Sequence, residues 1–129
     1  MPTLDRTISK VCVVDDDVMI TNSLSLILGR EGFDVAAFTN PLEAMEYMQA
    51  NPPDLLISDI MMPQLSGIDL AIRSAESFPD CRILLVSAAP EEVLHQARAG
   101  GYDFRLLQKP LHPKDLLHEI DLLGAEAQN

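Results

Sequence analysis

Side chains that could do chemistry stand directly after the short apolar runs of this sequence. They are three consecutive aspartates, a single aspartate, a serine and a lysine: Asp15, Asp16, Asp17, Asp59, Ser87 and Lys109. Carboxylates gathered in one pocket repel each other unless a cation joins them, and an all-oxygen site favours a hard ion such as Mg²⁺. A carboxylate there could attack phosphorus and form an acyl phosphate, while the lysine and the hydroxyl bind the phosphoryl oxygens.

Each of these residues taken alone has an ordinary structural interpretation. Consecutive aspartates after a strand commonly form a turn and a helix N-cap, and Asp17 is predicted to be that cap. Asp59, Ser87 and Lys109 are each typical of solvent-exposed loops. A functional site is indicated only if the fold brings these side chains to one place.

The elements that position them alternate regularly along the chain. Strands are predicted at residues 10–14, 34–38, 55–58, 82–86 and about 104–108. Helices are predicted at residues 18–30, at residues 41–49 with Asn40 as the N-cap, after Ser66 as a further N-cap, from Pro90 to Gly101, and from Pro113 onward. This alternation predicts an α/β fold in which a parallel sheet lies between two layers of helices.

The composition of the strands predicts their order in the sheet. The first, third and fourth runs are apolar throughout, which suits strands covered on both faces. The second run is weaker and Arg105 interrupts the fifth, so these two are predicted at the edges. The result is the flavodoxin-like order 2-1-3-4-5, which gathers the residues that follow the strands at one edge of the sheet.

Length and charge limit the class of protein. The 129 residues suit one domain, predicted to span residues 1–129 with a core at about 9–124 and flexible termini. A formal net charge of -11 opposes nucleic-acid binding, and the apolar runs are too short to cross a bilayer. Cys12 and Cys81 lack the spacing of a metal or disulfide motif. We therefore expect a cytoplasmic protein with no membrane or nucleic-acid partner.

Four motifs, taken together, resemble the receiver domain of response regulators in two-component signalling. The resemblance covers the chain from Val11 to Leu123. The motifs are Val13-Val14-Asp15-Asp16-Asp17, then Asp59-Ile60-Met61-Met62-Pro63 with Gly67, then Ser87-Ala88, and finally Lys109-Pro110. Any one of them is weak evidence, but all four in this order and spacing are highly specific.

This resemblance implies a phosphoacceptor switch that does chemistry only on itself, rather than an enzyme with a separate substrate. Asp59 would accept the phosphoryl group, the Ser87 hydroxyl would bond to it, and Lys109 would pair with it. The implied Mg²⁺ ligands are Asp16, Asp59, the backbone carbonyl of Met61 and, mainly through water, Asp15. A cis peptide bond between Lys109 and Pro110 is also implied.

The resemblance also implies partners. A histidine kinase or a histidine phosphotransfer protein would donate the phosphoryl group in a phosphorelay. The face formed by the fourth helix, fifth strand and fifth helix would then control an output protein that the sequence does not name. The chain is compatible with a monomer or a homodimer, and either it acts alone or an output domain lies outside these 129 residues.

Three other functions compete with this interpretation. A receiver-like interaction module would never be phosphorylated. An aspartyl-phosphate phosphatase would need an acid-base carboxylate two residues after Asp59, where this chain has Met61. A nucleotide-binding flavodoxin-like protein would have glycines, not aspartates, after its first strand.

The sequence departs from the receiver pattern at one position and lacks a polar group at two others. The aromatic residue usually found three positions before the lysine is replaced by Leu106, and a bulge could instead present Phe104. The side chains two positions beyond the phosphoacceptor and the hydroxyl are those of Met61 and Ala89, and neither can position a water molecule. We therefore expect the acyl phosphate not to hydrolyse unusually fast.

Overall fold

Five parallel strands form the centre of the fold. The computed structural model describes residues 8–88, 95, 98, 100–102 and 104–128. The strands are β1 (Lys10–Val14), β2 (Asp34–Phe38), β3 (Leu55–Asp59), β4 (Arg82–Ser87) and β5 (Arg105–Gln108). They pair in the order β2-β1-β3-β4-β5. The predicted flavodoxin-like order is therefore confirmed, with the two weakest strands at the edges.

Helices follow the strands and begin at the predicted caps. They are α1 (Val18–Arg30), α2 (Pro41–Ala50), α3 (Gly67–Ser77) and a C-terminal helix (Pro113–Gln128). The side chains of Asp17, Asn40 and Ser66 each accept a backbone N–H from the first turn of α1, α2 and α3, respectively, at 2.9, 2.9 and 3.1 Å. Of the predicted fourth helix, residues 95 and 98 are helical and residues 100 and 101 form a turn, while its other residues lie outside the described part of the chain.

Two hydrophobic clusters cover the two faces of the sheet. Alternation along β1 sends Val11 and Val13 into the first cluster and Cys12 and Val14 into the second. The first cluster is closed by α1 and the C-terminal helix, and the second by α2 and α3. The central strands are thereby held from both sides. Within the described part of the chain, no helix has the length and apolar character that a bilayer crossing requires.

The structure corrects two details of the prediction. β3 and β4 each extend one residue further, because Asp59 still pairs with Val86 and Ser87 still pairs with Gln108. These two polar residues therefore belong to the strands and not to the loops after them. The helical spacing of Met19, Met45 and Met48 predicts that all three fill the core, and for Met19 this prediction is wrong, since its side chain is 74% exposed in the first turn of α1.

The two methionines Met48 and Met19 offer a test of where the core lies. Met48 is fully buried in the second cluster, so Met48→Ala should lower the free energy of unfolding by about 2–5 kcal/mol. Met19→Ala, the matched control, should change it by about 0.5 kcal/mol or less because that side chain is exposed. Urea denaturation of both variants measures the difference. Equal effects would contradict this assignment of the core.

Candidate functional site

The sheet brings the predicted site residues to a single edge. Val14, the last residue of β1, lies opposite Ser58, and Asp59 lies opposite Val86 in the neighbouring strand. Because the strands are parallel and in register, the residues at their carboxyl ends meet at the same level. Asp15, Asp59 and Ser87 are buried there, with 3%, 6% and 1% of their surfaces exposed.

Three carboxylates form a cluster at this edge. Asp15, Asp16 and Asp59 each place one oxygen so that all three oxygens lie within 4.8 Å of one another. Asp15 is held by two hydrogen bonds: its backbone N–H donates to the Phe38 carbonyl at 3.1 Å, and its Oδ1 accepts the Asp17 N–H at 2.9 Å. Asp16 is exposed, so the cluster opens to solvent on its side.

Lys109 bridges two of these carboxylates. Its Nζ lies 3.0 Å from Asp15 Oδ2 and 3.3 Å from Asp59 Oδ1. Its backbone N–H donates to the Ser87 carbonyl at 2.9 Å, which fixes the start of the loop after β5. The following peptide bond, Lys109–Pro110, is cis, as predicted. Lys109 therefore joins the ends of β4 and β5 to the acidic cluster.

The proximity of these charges shifts two pKa values. Burial raises the pKa of Asp59, as does the negative charge of Asp15, while Lys109 partly opposes them. Burial lowers the pKa of Lys109, but its hydrogen bond to Asp15 and the charges of Asp15 and Asp59 outweigh burial, so the net shift is upward. One ammonium thus faces three carboxylates, and the cluster retains negative charge.

The donor set fits a hard divalent cation. Carboxylate oxygens within 4.8 Å of one another, exposed on the side of Asp16, are the ligands that Mg²⁺ takes in proteins while retaining some of its water. The Met61 carbonyl belongs to the loop that leaves β3. That loop is fixed at Ile60, whose N–H donates to the Val86 carbonyl at 3.1 Å.

Gly67 has a structural role that sequence reasoning missed. A Cβ atom on Gly67 would lie 2.1 Å from the backbone oxygen of Asp59 and 2.7 Å from the Cα of Ile60. Its N–H also donates to the Ile60 carbonyl at 2.8 Å. The first turn of α3 is therefore packed directly on the backbone of Asp59. The available signal for this role in the sequence was a glycine at the start of the helix that is predicted after this loop.

Comparison with known proteins identifies the family. The family model of the response regulator receiver domain matches residues 11–121. The chain belongs to this receiver family. It is 33% identical over 112 residues to the response regulator receiver protein CpdR of Brucella abortus, which covers 87% of this chain and 93% of CpdR.

Other relatives agree with this assignment. The DNA-binding response regulator MtrA of Mycobacterium bovis is 29% identical over 118 residues, or 91% of this chain and 51% of MtrA. The receiver chain thus spans about half the length of MtrA. The crystal structure of a CheY-like receiver domain protein from Methanospirillum hungatei has a TM-score of 0.86 and 26% identity, and covers 94% of this chain and 97% of that one.

The position of the receiver aromatic residue is occupied by Leu106. β5 pairs with β4 without interruption, Leu106 lying opposite Leu85 and Gln108 opposite Ser87. No bulge within β5 therefore moves Phe104 into that place. Phe104 precedes the strand and packs on the second cluster, its ring stacked on Tyr102 with centroids 5.5 Å apart.

Gly67→Ala tests the contact between α3 and the end of β3. The new Cβ would overlap the backbone of Asp59 and Ile60, so the loss of stability should reach or exceed the about 1–3 kcal/mol typical of overpacking. Gly29→Ala, at a helical position with no atom within 4 Å of the new Cβ, should instead be neutral or stabilise by up to about 1 kcal/mol. Urea denaturation distinguishes the two, and a neutral Gly67→Ala would refute the contact.

The raised pKa of Asp59 predicts a pH dependence of stability without Mg²⁺. A carboxyl group whose pKa is higher in the folded state contributes stability below its unfolded pKa, and this contribution is lost as pH rises through the folded value. Asp59→Asn cannot ionise and should therefore be more stable than the natural chain at about pH 7, with the advantage shrinking toward about pH 4. Urea denaturation across this range measures it.

The matched control for this comparison is Asp80→Asn, which removes one negative charge from an exposed turn. It should not reproduce the stabilisation at neutral pH. An Asp59→Asn variant that is less stable than the natural chain at neutral pH would contradict the electrostatic interpretation.

Proposed function

We propose that this receiver is a phosphoacceptor switch in which Asp59 takes a phosphoryl group from the phosphohistidine of a histidine kinase or a phosphotransfer protein. The observation that carries the proposal is the cluster of Asp15, Asp16 and Asp59 with Lys109 between two of them. A carboxylate that serves as a nucleophile here needs positive charge to offset the carboxylates around it, and space for a phosphoryl group beside it. Lys109 and the open side of the cluster at Asp16 provide both.

In the proposed reaction a carboxylate oxygen of Asp59 attacks the phosphorus atom. The P–O bond to Asp59 forms while the P–N bond to the histidine breaks, and the histidine nitrogen leaves with the bonding electron pair and is then protonated. Lys109, 3.3 Å from Asp59 Oδ1, would pair with the phosphoryl oxygens, and the Ser87 hydroxyl would bond to them. Asp15, Asp16, Asp59 and the Met61 carbonyl would hold Mg²⁺, which neutralises charge on the phosphoryl oxygens when bound.

The output of the switch would be a change in the face formed by the fourth helix, β5 and the C-terminal helix. β5 and that helix are joined by the Arg105–Glu119 ion pair at 3.5 Å. Lys109 immediately follows β5, so a new charge on Asp59 acts on a residue continuous with this face. In this proposal, residues 1–129 form one cytoplasmic receiver domain. The receiver acts as a monomer or a homodimer, between a histidine kinase and an output protein.

A receiver-like module that binds partners without being phosphorylated is the second candidate. Leu106 favours it, because an aliphatic side chain stands where receivers carry the aromatic residue that responds to phosphorylation. The intact acidic cluster favours the phosphoacceptor. A phosphatase is not supported, since the side chain two residues beyond Asp59 is the exposed thioether of Met61, which cannot act as an acid or base.

The decisive experiment is phosphorylation by a small acyl phosphate, such as acetyl phosphate, in the presence of Mg²⁺. The intact mass of the chain should increase by one phosphoryl group. The increase should be abolished by EDTA and in Asp59→Asn, and it should be strongly reduced in Asp16→Asn because that change removes a carboxylate from the proposed Mg²⁺ ligands. Intact-mass spectrometry measures each case.

Asp17→Asn is the control for this experiment. It lies next to the cluster but acts as the α1 cap, and asparagine caps helices as well as aspartate does. It should be phosphorylated like the natural chain. Absence of any mass increase in the natural chain would favour the non-phosphorylated module, and an increase that persists in Asp59→Asn would place the acceptor elsewhere.

A further inference from the structure

The sulfur atoms of this chain differ sharply in their access to solvent. Among the described residues, Met48, Met62, Cys12 and Cys81 are buried, with 0%, 9%, 1% and 7% of their surfaces exposed. Met45 is partly buried against the second cluster. In the part of the chain that the structure describes, two thioethers are open to solvent, those of Met19 at 74% and Met61 at 71%. An oxidant in solution therefore meets these two first.

The two cysteines do not compete for such an oxidant. Burial raises the pKa of both thiols to about 12, and the two cysteines are free and buried. Peroxides react with the thiolate and need access to it, so both conditions for cysteine oxidation are missing. The exposed thioethers are thus the most accessible oxidisable groups in the described part of the chain.

Met61 differs from Met19 in being held beside the phosphoacceptor. Its neighbours in sequence, Ile60 and Met62, are both buried in the second cluster, so the loop is anchored on either side of Met61. Ile60 is also hydrogen-bonded through its N–H to Val86 and through its carbonyl to Gly67. The loop cannot easily carry Met61 away from Asp59, two residues earlier, and the Met61 side chain is 71% exposed to solvent.

We propose that Met61 is a reversible oxidation site through which hydrogen peroxide shortens the lifetime of the phosphorylated receiver. The sulfur lone pair attacks one peroxide oxygen and the O–O bond breaks. The thioether loses two electrons and becomes a sulfoxide, and the peroxide is reduced to water. Methionine sulfoxide reductase, with a dithiol as the two-electron reductant, removes the oxygen as water and restores the thioether while the dithiol becomes a disulfide, so the modification can act as a switch.

The physical consequence follows from the change in polarity. A thioether at this rim cannot order a water molecule, whereas a sulfoxide oxygen is a strong hydrogen-bond acceptor. Beside an acyl phosphate on Asp59, that oxygen can orient a water molecule for attack on phosphorus and promote hydrolysis. The backbone carbonyl of Met61 is unchanged by the oxidation, so the proposed Mg²⁺ ligands are retained.

The test compares the decay of the phosphorylated protein before and after oxidation, and it rests on the proposed phosphorylation of Asp59. The full chain is treated with hydrogen peroxide, the oxidised positions are assigned by peptide mass mapping, and the protein is phosphorylated with acetyl phosphate and Mg²⁺. After removal of the donor, intact-mass spectrometry follows the loss of the phosphoryl group. We expect a several-fold shorter half-life after oxidation, restored by methionine sulfoxide reductase.

Three variants separate Met61 from the other sulfurs. Met61→Leu keeps an apolar side chain of similar size that peroxide does not oxidise, so its half-life should be the same before and after treatment. Met61→Gln places a polar acceptor there permanently and should shorten the half-life without peroxide. Met19→Leu removes the other exposed thioether and should leave the response to peroxide intact.

The possible failures are distinguishable. If the untreated chain gains no phosphoryl group, the proposed function fails and this inference fails with it. If the chain is phosphorylated, but Met61 is oxidised without any change in half-life, only this inference is overturned. A peroxide response that persists in Met61→Leu overturns it as well, and assigns the effect to another residue.

Discussion

Mutual repulsion among carboxylates at one edge of a parallel sheet is the constraint on which the site depends. Two like charges 4 Å apart repel by about 4 kcal/mol in the effective dielectric near a protein surface. Asp15, Asp16 and Asp59 bring three such groups within 4.8 Å, and Lys109 neutralises only part of their charge. The folded chain therefore contains a region that a divalent cation, or protonation of Asp59, would stabilise. This unfavourable arrangement is also what makes the site chemically useful, because the same cation can bind phosphoryl oxygens.

Packing in the rest of the fold offsets the free energy that this repulsion costs. The central strands are apolar on both faces, and the two clusters that enclose them hold the ends of β1, β3 and β4 at fixed relative positions. Gly67 adds a local constraint, because α3 packs so closely on Asp59 that a single methyl group would displace one or the other. The backbones that carry the buried carboxylates Asp15 and Asp59 are therefore held close together despite the repulsion. Rigidity of the scaffold and reactivity of the site are thus two results of the same packing.

The sequence predicts the features that depend on composition and local hydrogen bonding. It does not predict the features that depend on contacts between residues far apart in the chain. Strand order followed from which runs were apolar on both faces, and the caps Asp17, Asn40 and Ser66 followed from local hydrogen-bonding preferences. The exposure of Met19 could not be seen, because helical periodicity does not say where the sheet stops covering a helix. The extension of β3 through Asp59 was missed since the apolar run ends one residue earlier, although backbone pairing continues. The contact of Gly67 required knowledge of how closely the first turn of α3 approaches β3.

Lys109 directly connects the acidic cluster to β5. Its ammonium contacts Asp15 and Asp59, its backbone N–H is bonded to the end of β4, and its chain continues directly from Gln108. Receivers usually add an aromatic side chain to this connection, and here Leu106 fills the position within a regularly paired strand. A charge added to Asp59 would redistribute the contacts of Lys109 whichever side chain stands at position 106. In the proposed switch, signal transfer would therefore depend on the lysine and on the backbone pairing of β4 with β5, rather than on the rotation of an aromatic ring.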